Sequence, residues 1–262
     1  MEDFKHLTQG SPMPSNSSNQ LVLYSCVICP FAQRVHLALN AKQIPYSAIY
    51  IDLWKKPEWY VQKSPTTKVP ALAIPEQTDP LIESLIIADY LDEKFPENPL
   101  HSRNALEKAN DRVLIERFSN VIGIVAKIMY PMMRNFQKIE DVENVAEDLF
   151  KALDVFEHEL REKRKSLYFG GEKAGMVDFM IWPWMERSLF LPKIDGNYEL
   201  KSDRFPLLIK WRNLMLEHPA VKACVLSTDF FFEFYQKLEA KESINDLIDE
   251  ASKKRETERN NF

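Results

Sequence analysis

Ser25-Cys26-Val27-Ile28-Cys29-Pro30-Phe31-Ala32-Gln33-Arg34 joins two runs of different periodicity. Before it, Leu21-Val22-Leu23-Tyr24 is a short apolar and aromatic run that reads as a strand. After it, Val35, Leu37, Ala38, Leu39 and Ala41 recur at helical spacing to about Lys42. Pro30 fits the first helical position, where its missing N–H costs nothing. Cys29 then falls close to the N-cap, where unpaired amide donors and the positive dipole end favour an anion. A thiol placed there is expected to lose its proton more readily than a free cysteine, whose pKa is near 8.5. The bland alternative is a buried inert thiol. The strand–Cys-Pro–helix context favours the reactive one.

Outward from this turn the chain alternates strand and helix. Tyr46 to Ile51 reads as a second strand, which implies a right-handed parallel crossover. Pro57 to Lys63 is a short helix candidate, Pro70 to Ile74 a third strand and Leu81-Ile82 the start of a fourth. Ser84 is expected to cap a helix through about Lys94. From about Asn104 the pattern is helical, with runs at Leu106 to about Arg134, Val142 to Lys163, Met176 to about Phe190, Leu207 to Leu216 and Ala220 to Leu226. The run from Met176 is apolar nearly all round and is expected at the centre. The basic run Arg161 to Lys165 reads as a solvated helix end. The expected fold is an α/β N-terminal domain followed by an all-α helical C-terminal domain. Its parts are an irregular extension (1–20), the α/β domain (21–95), a linker (96–103), the helical domain (104–235) and a tail (236–262).

The length of 262 residues suits two modest domains, and 45% hydrophobic residues supply ample core. A formal net charge of -5 argues against nucleic acid as a partner. The N-terminus shows no apolar signal run, and no segment has the apolar length of a membrane span. The expected location is cytoplasmic. Cys26, Cys29 and Cys224 are an odd set for a disulfide framework, and no pair at ligand spacing completes a metal site, so no metal is expected. The Asn16-Ser17-Ser18 sequon is expected to go unused.

Cys29-Pro30-Phe31-Ala32 resembles the Cys-Pro-aromatic-Cys turn of glutaredoxins, with Ala32 in place of the second cysteine. Lys56-Pro57-Glu58-Trp59, Val69-Pro70, Glu83-Ser84, Phe169-Gly170-Gly171 and Ile181-Trp182-Pro183-Trp184 follow in order. Together these resemble the omega-class glutathione transferases, insect members above all, from Leu21 to about Tyr235. The resemblance implies a thioredoxin-like N-terminal domain, glutathione as co-substrate and a homodimer. It implies thiol transfer by a cysteine nucleophile, Cys29, with small disulfides, dehydroascorbate or electrophiles as acceptors. It also implies a cis Val69–Pro70 bond that frees the Val69 backbone for glutathione.

On this reading Ser84 holds the γ-glutamyl carboxylate at a helix start, and Glu83 pairs with the γ-glutamyl amine. Lys56 reaches the glycine carboxylate, and Phe31 faces the thiol. Thr67 stands where the family often has glycine, so a reshaped turn is expected there. The family's usual Ser or Thr before the central helix is Gly175, and Gly175 and Asp178 read as structural. Arg187, Phe230, Phe231 and Tyr235 are expected to wall an apolar acceptor pocket between the domains. Tyr24 and Ser25 are the residues for a rival mechanism that only stabilises glutathione's own thiolate. A functional Cys26–Cys29 disulfide is disfavoured, because the helix-start cysteine comes second. The alternative from another class is a non-catalytic or self-inhibited binding protein; chloride intracellular channel proteins share the Cys-Pro-Phe turn.

The tail carries a sparse apolar stripe, Leu238, Ile244, Leu247, Ile248 and Ala251, that suggests a helix to about Lys253. Beyond it, a charged solvated end is the bland expectation. The sharper one is self-inhibition, with Glu256, Glu258 or the terminal carboxylate in the glutathione site. The helix start at Cys29 yields a first prediction. Iodoacetamide alkylation of Cys29, followed by peptide mapping across pH, is expected to show a midpoint below that of a free cysteine. A midpoint at or above it would refute the helix-start effect.

Overall fold

In the computed structural model, which describes residues 4–15, 20–134 and 141–260, β1 (Leu21–Ser25) is buried along its whole length. It is an inner strand of a sheet ordered β2-β1-β3-β4. β2 (Tyr46–Tyr50) runs parallel to it, from Tyr46 opposite Leu21 to Tyr50 opposite Ser25. β3 (Ala71–Ala73) pairs antiparallel with β1, and β4 (Leu81–Ile82) antiparallel with β3. α1 (Pro30–Ala41) makes the crossover, followed by α2 (Glu58–Lys63) and α3 (Ser84–Lys94). This is the expected thioredoxin-like order. The Asn16-Ser17-Ser18 sequon and the terminal Asn261-Phe262 lie outside the described residues.

Residues divide into two units. The first takes the chain up to Asn98, Lys222–Cys224 and the segment from Asn245; the second takes Pro99–Val221 and Val225–Ile244. Side chains alternate across β1 with period two. Tyr24 packs on Tyr60 and Trp59, with ring centroids 5.3 and 6.0 Å away. Ser25 points to the other face, its Oγ 2.9 Å from His36 Nε2. The N-terminal extension pairs with the end of the open β2 edge through Leu7. Leu7 N–H donates to Tyr50 O at 2.8 Å, and Asp52 N–H donates to Leu7 O at 2.9 Å. An edge strand left bare would be a template for unwanted pairing.

The second unit is helical, as expected: α4 (Ala105–Arg117), α5 (Ser119–Arg134), α6 (Val142–His158), α7 (Met176–Arg187), α8 (Leu191–Ile194), α9 (Pro206–Glu217), α10 (Pro219–Lys222) and α11 (Thr228–Glu239). α7 is buried at every position. Asp178 anchors its start by accepting from Phe169 N, Gly170 N, Gly175 N and Trp211 Nε1 at 2.7–2.9 Å. Burial pushes the Asp178 carboxyl up, and those donors oppose it. A Cβ on Gly175 would lie 2.9 Å from Leu100 O and 3.0 Å from Gly170 Cα, so a serine or threonine has no room there. Among the described residues no helix is long and apolar enough to cross a membrane.

Several boundaries differ from the sequence reading. The run from Leu106 to Arg134 is two helices, broken at Phe118. α6 gives way at Glu159–Arg164 to one π-helical turn. Its end is only partly solvated, because Arg164 bonds Asp111 at 2.8 Å and Glu159 at 3.2 Å. The central helix stops at Arg187 instead of Phe190, and Ala220 to Leu226 holds only the short α10.

The tail is the largest departure. α12 (Asn245–Asn260) continues well past Lys253, and Arg255 and Glu256 are buried. Tyr50 O–H donates to Glu256 Oε1 at 2.8 Å, and Arg259 pairs with Glu256 while its guanidinium lies 4.2 Å from the Tyr46 ring centroid. Arg255 Nη2 donates to Cys224 O at 2.9 Å. The N-terminal extension meets the same helix, with His6 N–H donating to Asp249 Oδ1 at 2.8 Å and Ser252 Oγ donating to Phe4 O. None of these partners is an expected glutathione residue. Glu256 is spent on Tyr50, which corrects the self-inhibition expectation for that carboxylate. Deleting the chain from Asn245 onward strips buried contacts from β2. It is expected to lower the melting temperature by on the order of 10 °C, without tightening glutathione binding. Calorimetry and a binding titration check both, and an unchanged melting temperature contradicts the docking.

Candidate functional site

Cys29 is the N-cap of α1 (φ -78°, ψ 118°), with Pro30 in the first helical position. Its own N–H donates to Cys26 O, and its carbonyl accepts from Gln33 N, both at 3.0 Å. The thiol Sγ is 3.8 Å from Val69 O, and only 9% of the residue is exposed. Val22, Tyr24, Ala32, Tyr60, Val69 and Ala71 form the core around it. The Val69–Pro70 bond is cis. Thr67 takes φ 54°, the left-handed backbone that glycine adopts freely, so the turn forms without the glycine. Tyr60 O–H donates to Lys68 O at 2.7 Å and braces the same loop. Cys26 is fully buried, and burial, then the charge of Cys29, pushes its thiol up to about 12.

The start of α3 differs from expectation. Glu83, with φ 68°, is the N-cap, and no side chain caps the helix. Ser84 is the first helical residue. The chain reverses at Glu83 after the short β4, which takes Glu83 out of helical geometry and moves the cap one residue earlier. Ser84 Oγ accepts from Arg34 Nη1 at 3.4 Å, and Ser84 is buried. Arg34, 3% exposed, also lies over the Phe31 ring, 5.7 Å from its centroid. Cys29, Val69, Phe31, Arg34 and Ser84 are thus linked by direct contacts or by neighbouring positions on α1. Glu83 is exposed and Lys56 half-exposed; both belong to this unit. Arg34 was missed as a site residue, although it closes the Cys-Pro stretch. The available signal was an arginine within a helix whose neighbours Ala32, Val35 and Ala38 are all apolar.

In the second unit, Arg187, Phe231 and Tyr235 come together. The Arg187 guanidinium lies 5.0 Å from the Phe231 ring centroid and donates to Pro183 O at 2.5 Å. Phe190 stacks on Phe231 at 5.3 Å and on Tyr235 at 5.1 Å. Phe230 joins through the edge of Phe231 at 5.6 Å. Arg187, Phe231 and Tyr235 are buried, and Phe230 is half-buried. The Tyr235 hydroxyl is buried with no hydrogen-bond partner among the described residues, and burial pushes its phenol up.

Residues 23–99 match the model of the glutathione S-transferase N-terminal domain, and residues 122–219 that of the C-terminal domain. The chain is 44% identical to pyrimidodiazepine synthase of Drosophila melanogaster, over 89% of this chain and 93% of the relative. It is 37% identical to glutathione S-transferase omega-1 of Sus scrofa, over 84% of this chain and 86% of the relative. Among solved structures, the tau-class glutathione S-transferase of mango superposes with TM-score 0.75 at 22% identity, covering 85% of this chain and all of the other. Ser84→Ala is expected to raise KM for glutathione several-fold with a smaller fall in kcat, since Ser84 lies apart from the sulfur chemistry. Steady-state kinetics check this; a fall in kcat at constant KM would overturn it.

Proposed function

For this chain, which belongs to the omega-type glutathione transferases, we propose thiol transfer by a Cys29 nucleophile. The observation that carries the reading is the placement of the Cys29 sulfur at the N-cap of α1 beside the Val69 carbonyl. The helix start supplies amide donors and a positive dipole end where the thiolate forms. The Cys29 thiolate attacks the sulfur bonded to glutathione in a mixed disulfide. A Cys29–glutathione disulfide forms, and the other thiol leaves as its thiolate. The thiolate of a second glutathione attacks that disulfide at the glutathionyl sulfur. Oxidised glutathione leaves, and the Cys29 thiolate is restored. Val69, Pro70, Glu83, Ser84, Lys56 and Phe31 bind glutathione in this scheme, and Arg187, Phe230, Phe231 and Tyr235 serve the acceptor. Dehydroascorbate and small electrophiles are further acceptors. The homodimer and the cytoplasmic location belong to the same reading.

The geometry disfavours the rival mechanism. Tyr24 is fully buried, and burial pushes its phenol up; Ser25 is engaged with His36. The likeness to pyrimidodiazepine synthase supports a second reading of the acceptor, in which the chain serves pyrimidodiazepine formation. Assaying both reactions with one preparation separates the two. Cys29→Ala is expected to lower glutathione-dependent disulfide reductase activity by at least about a hundredfold, with the melting temperature nearly unchanged. Intact-mass spectrometry of the wild type is expected to show one glutathione adduct, mapped to Cys29. Equal activity in both proteins would sink the proposal.

A further inference from the structure

We propose that Arg34 is a positioning residue of the glutathione site, a single buried guanidinium that serves both the Ser84 hydroxyl and the Cys29 sulfur. The inference deepens the thiol-transfer reading and rests on it. Helical side chains lean toward the N-terminus of their helix, over the preceding turn. Arg34 accordingly reaches back over Phe31, 5.7 Å from the ring centroid, toward the end of α1 that Cys29 caps. Its Nη1 also spans to α3 and donates to Ser84 Oγ at 3.4 Å. A guanidinium 3% exposed is costly to bury, and packing alone would be met by an apolar side chain.

Cys26 before α1, Tyr60 on α2 and Arg34 are among the groups electrostatically coupled to Cys29. Tyr24, on β1 in the same core, is fully buried. Burial holds Cys26 at about 12 and pushes both tyrosines up, so these three stay neutral at pH 7. Burial also pulls Arg34 down, to about 9, against the charge of Cys29; it stays a cation at pH 7. Of these groups, Arg34 is the one that brings positive charge. The γ-glutamyl carboxylate at Ser84 and the thiolate at Cys29 therefore share one cation. Glutathione affinity and thiol acidity become linked through it.

The test is the pH profile of Cys29 alkylation by iodoacetamide in wild type, Arg34→Met and Arg34→Lys, each checked for native near-UV circular dichroism. Loss of the cation is expected to raise the midpoint by on the order of one pH unit in Arg34→Met, whereas Arg34→Lys restores most of the shift. KM for glutathione is expected to rise several-fold in Arg34→Met. Equal midpoints in wild type and Arg34→Met overturn the inference. Should the substitutions prevent folding, NMR of the wild type decides. The Arg34 Nε–H resonance is expected to move through the Cys29 midpoint, and to stop moving in Cys29→Ala. A resonance that ignores the midpoint overturns the inference equally. Alkylation needs no glutathione, so a wild type that never forms the mixed disulfide sinks the thiol-transfer reading alone.

Discussion

A helix start leaves amide donors without partners inside the helix, and here the N-cap residue is a cysteine whose side chain makes no capping hydrogen bond. That placement is the constraint on which the rest depends. β1 is an inner strand, so the point where it ends, and hence where α1 begins, is fixed by pairing on both sides. Val69, just ahead of β3, brings its carbonyl to the sulfur, and Tyr60 holds the loop before it through Lys68. Moving the turn by one residue would carry the thiol off the helix axis and away from Val69. The sheet, the crossover and the bracing tyrosine thus fix Cys29 at the N-cap of α1 with its sulfur beside Val69 O.

Several buried polar groups among the described residues have an assignable task. Asp178 gathers the donors at the start of α7 and reaches across to Trp211. Glu186 accepts from Trp182 Nε1 at 2.9 Å and from Leu226 N at 3.2 Å, joining α7 to the segment before α11. In the first unit, Ser25, His36, Tyr46 and Asn40 form a connected chain of hydrogen bonds under the sheet. Burial and the nearby arginines hold His36 well below its ordinary range, so it works there as a neutral ring. Such groups fix geometry, because displacing any one leaves its partners unsatisfied in a dry interior.

Much of this was legible from periodicity and punctuation. The four strands, the crossover and the Cys-Pro helix start follow from apolar runs set off by Pro30, Pro70 and Pro80. What escaped was set by tertiary contact. The break at Phe118 interrupts a helical pattern that is continuous in sequence. Glu83 takes a positive φ because β4 must turn into α3, which no side-chain preference announces. The charged segment from Lys253 to Arg259 looks solvated by composition, yet Arg255 and Glu256 are buried because Cys224 and Tyr50 receive them. Arg34 escaped for the same reason: the value of a lone charge on an apolar helix depends on Ser84, which lies far along the chain. The departure at Gly175 was visible as sequence, but its cause, the crowding by Leu100 and Gly170, needed the packed structure.

The first unit is assembled from segments made at different times. Its sheet and α1 leave the ribosome early, whereas α12, which covers Tyr46 and Tyr50, leaves last. The intervening helical unit takes on the order of ten seconds to synthesise. Through that interval Tyr46 and Tyr50 lack the cover of α12, although His36 of α1 already packs against both, and the β2 edge is only partly masked. Cys29 is then already in place at the start of α1. The growing polypeptide therefore holds the Cys29 thiol on a half-built domain, and a chaperone that shields the β2 face would protect that domain until translation ends.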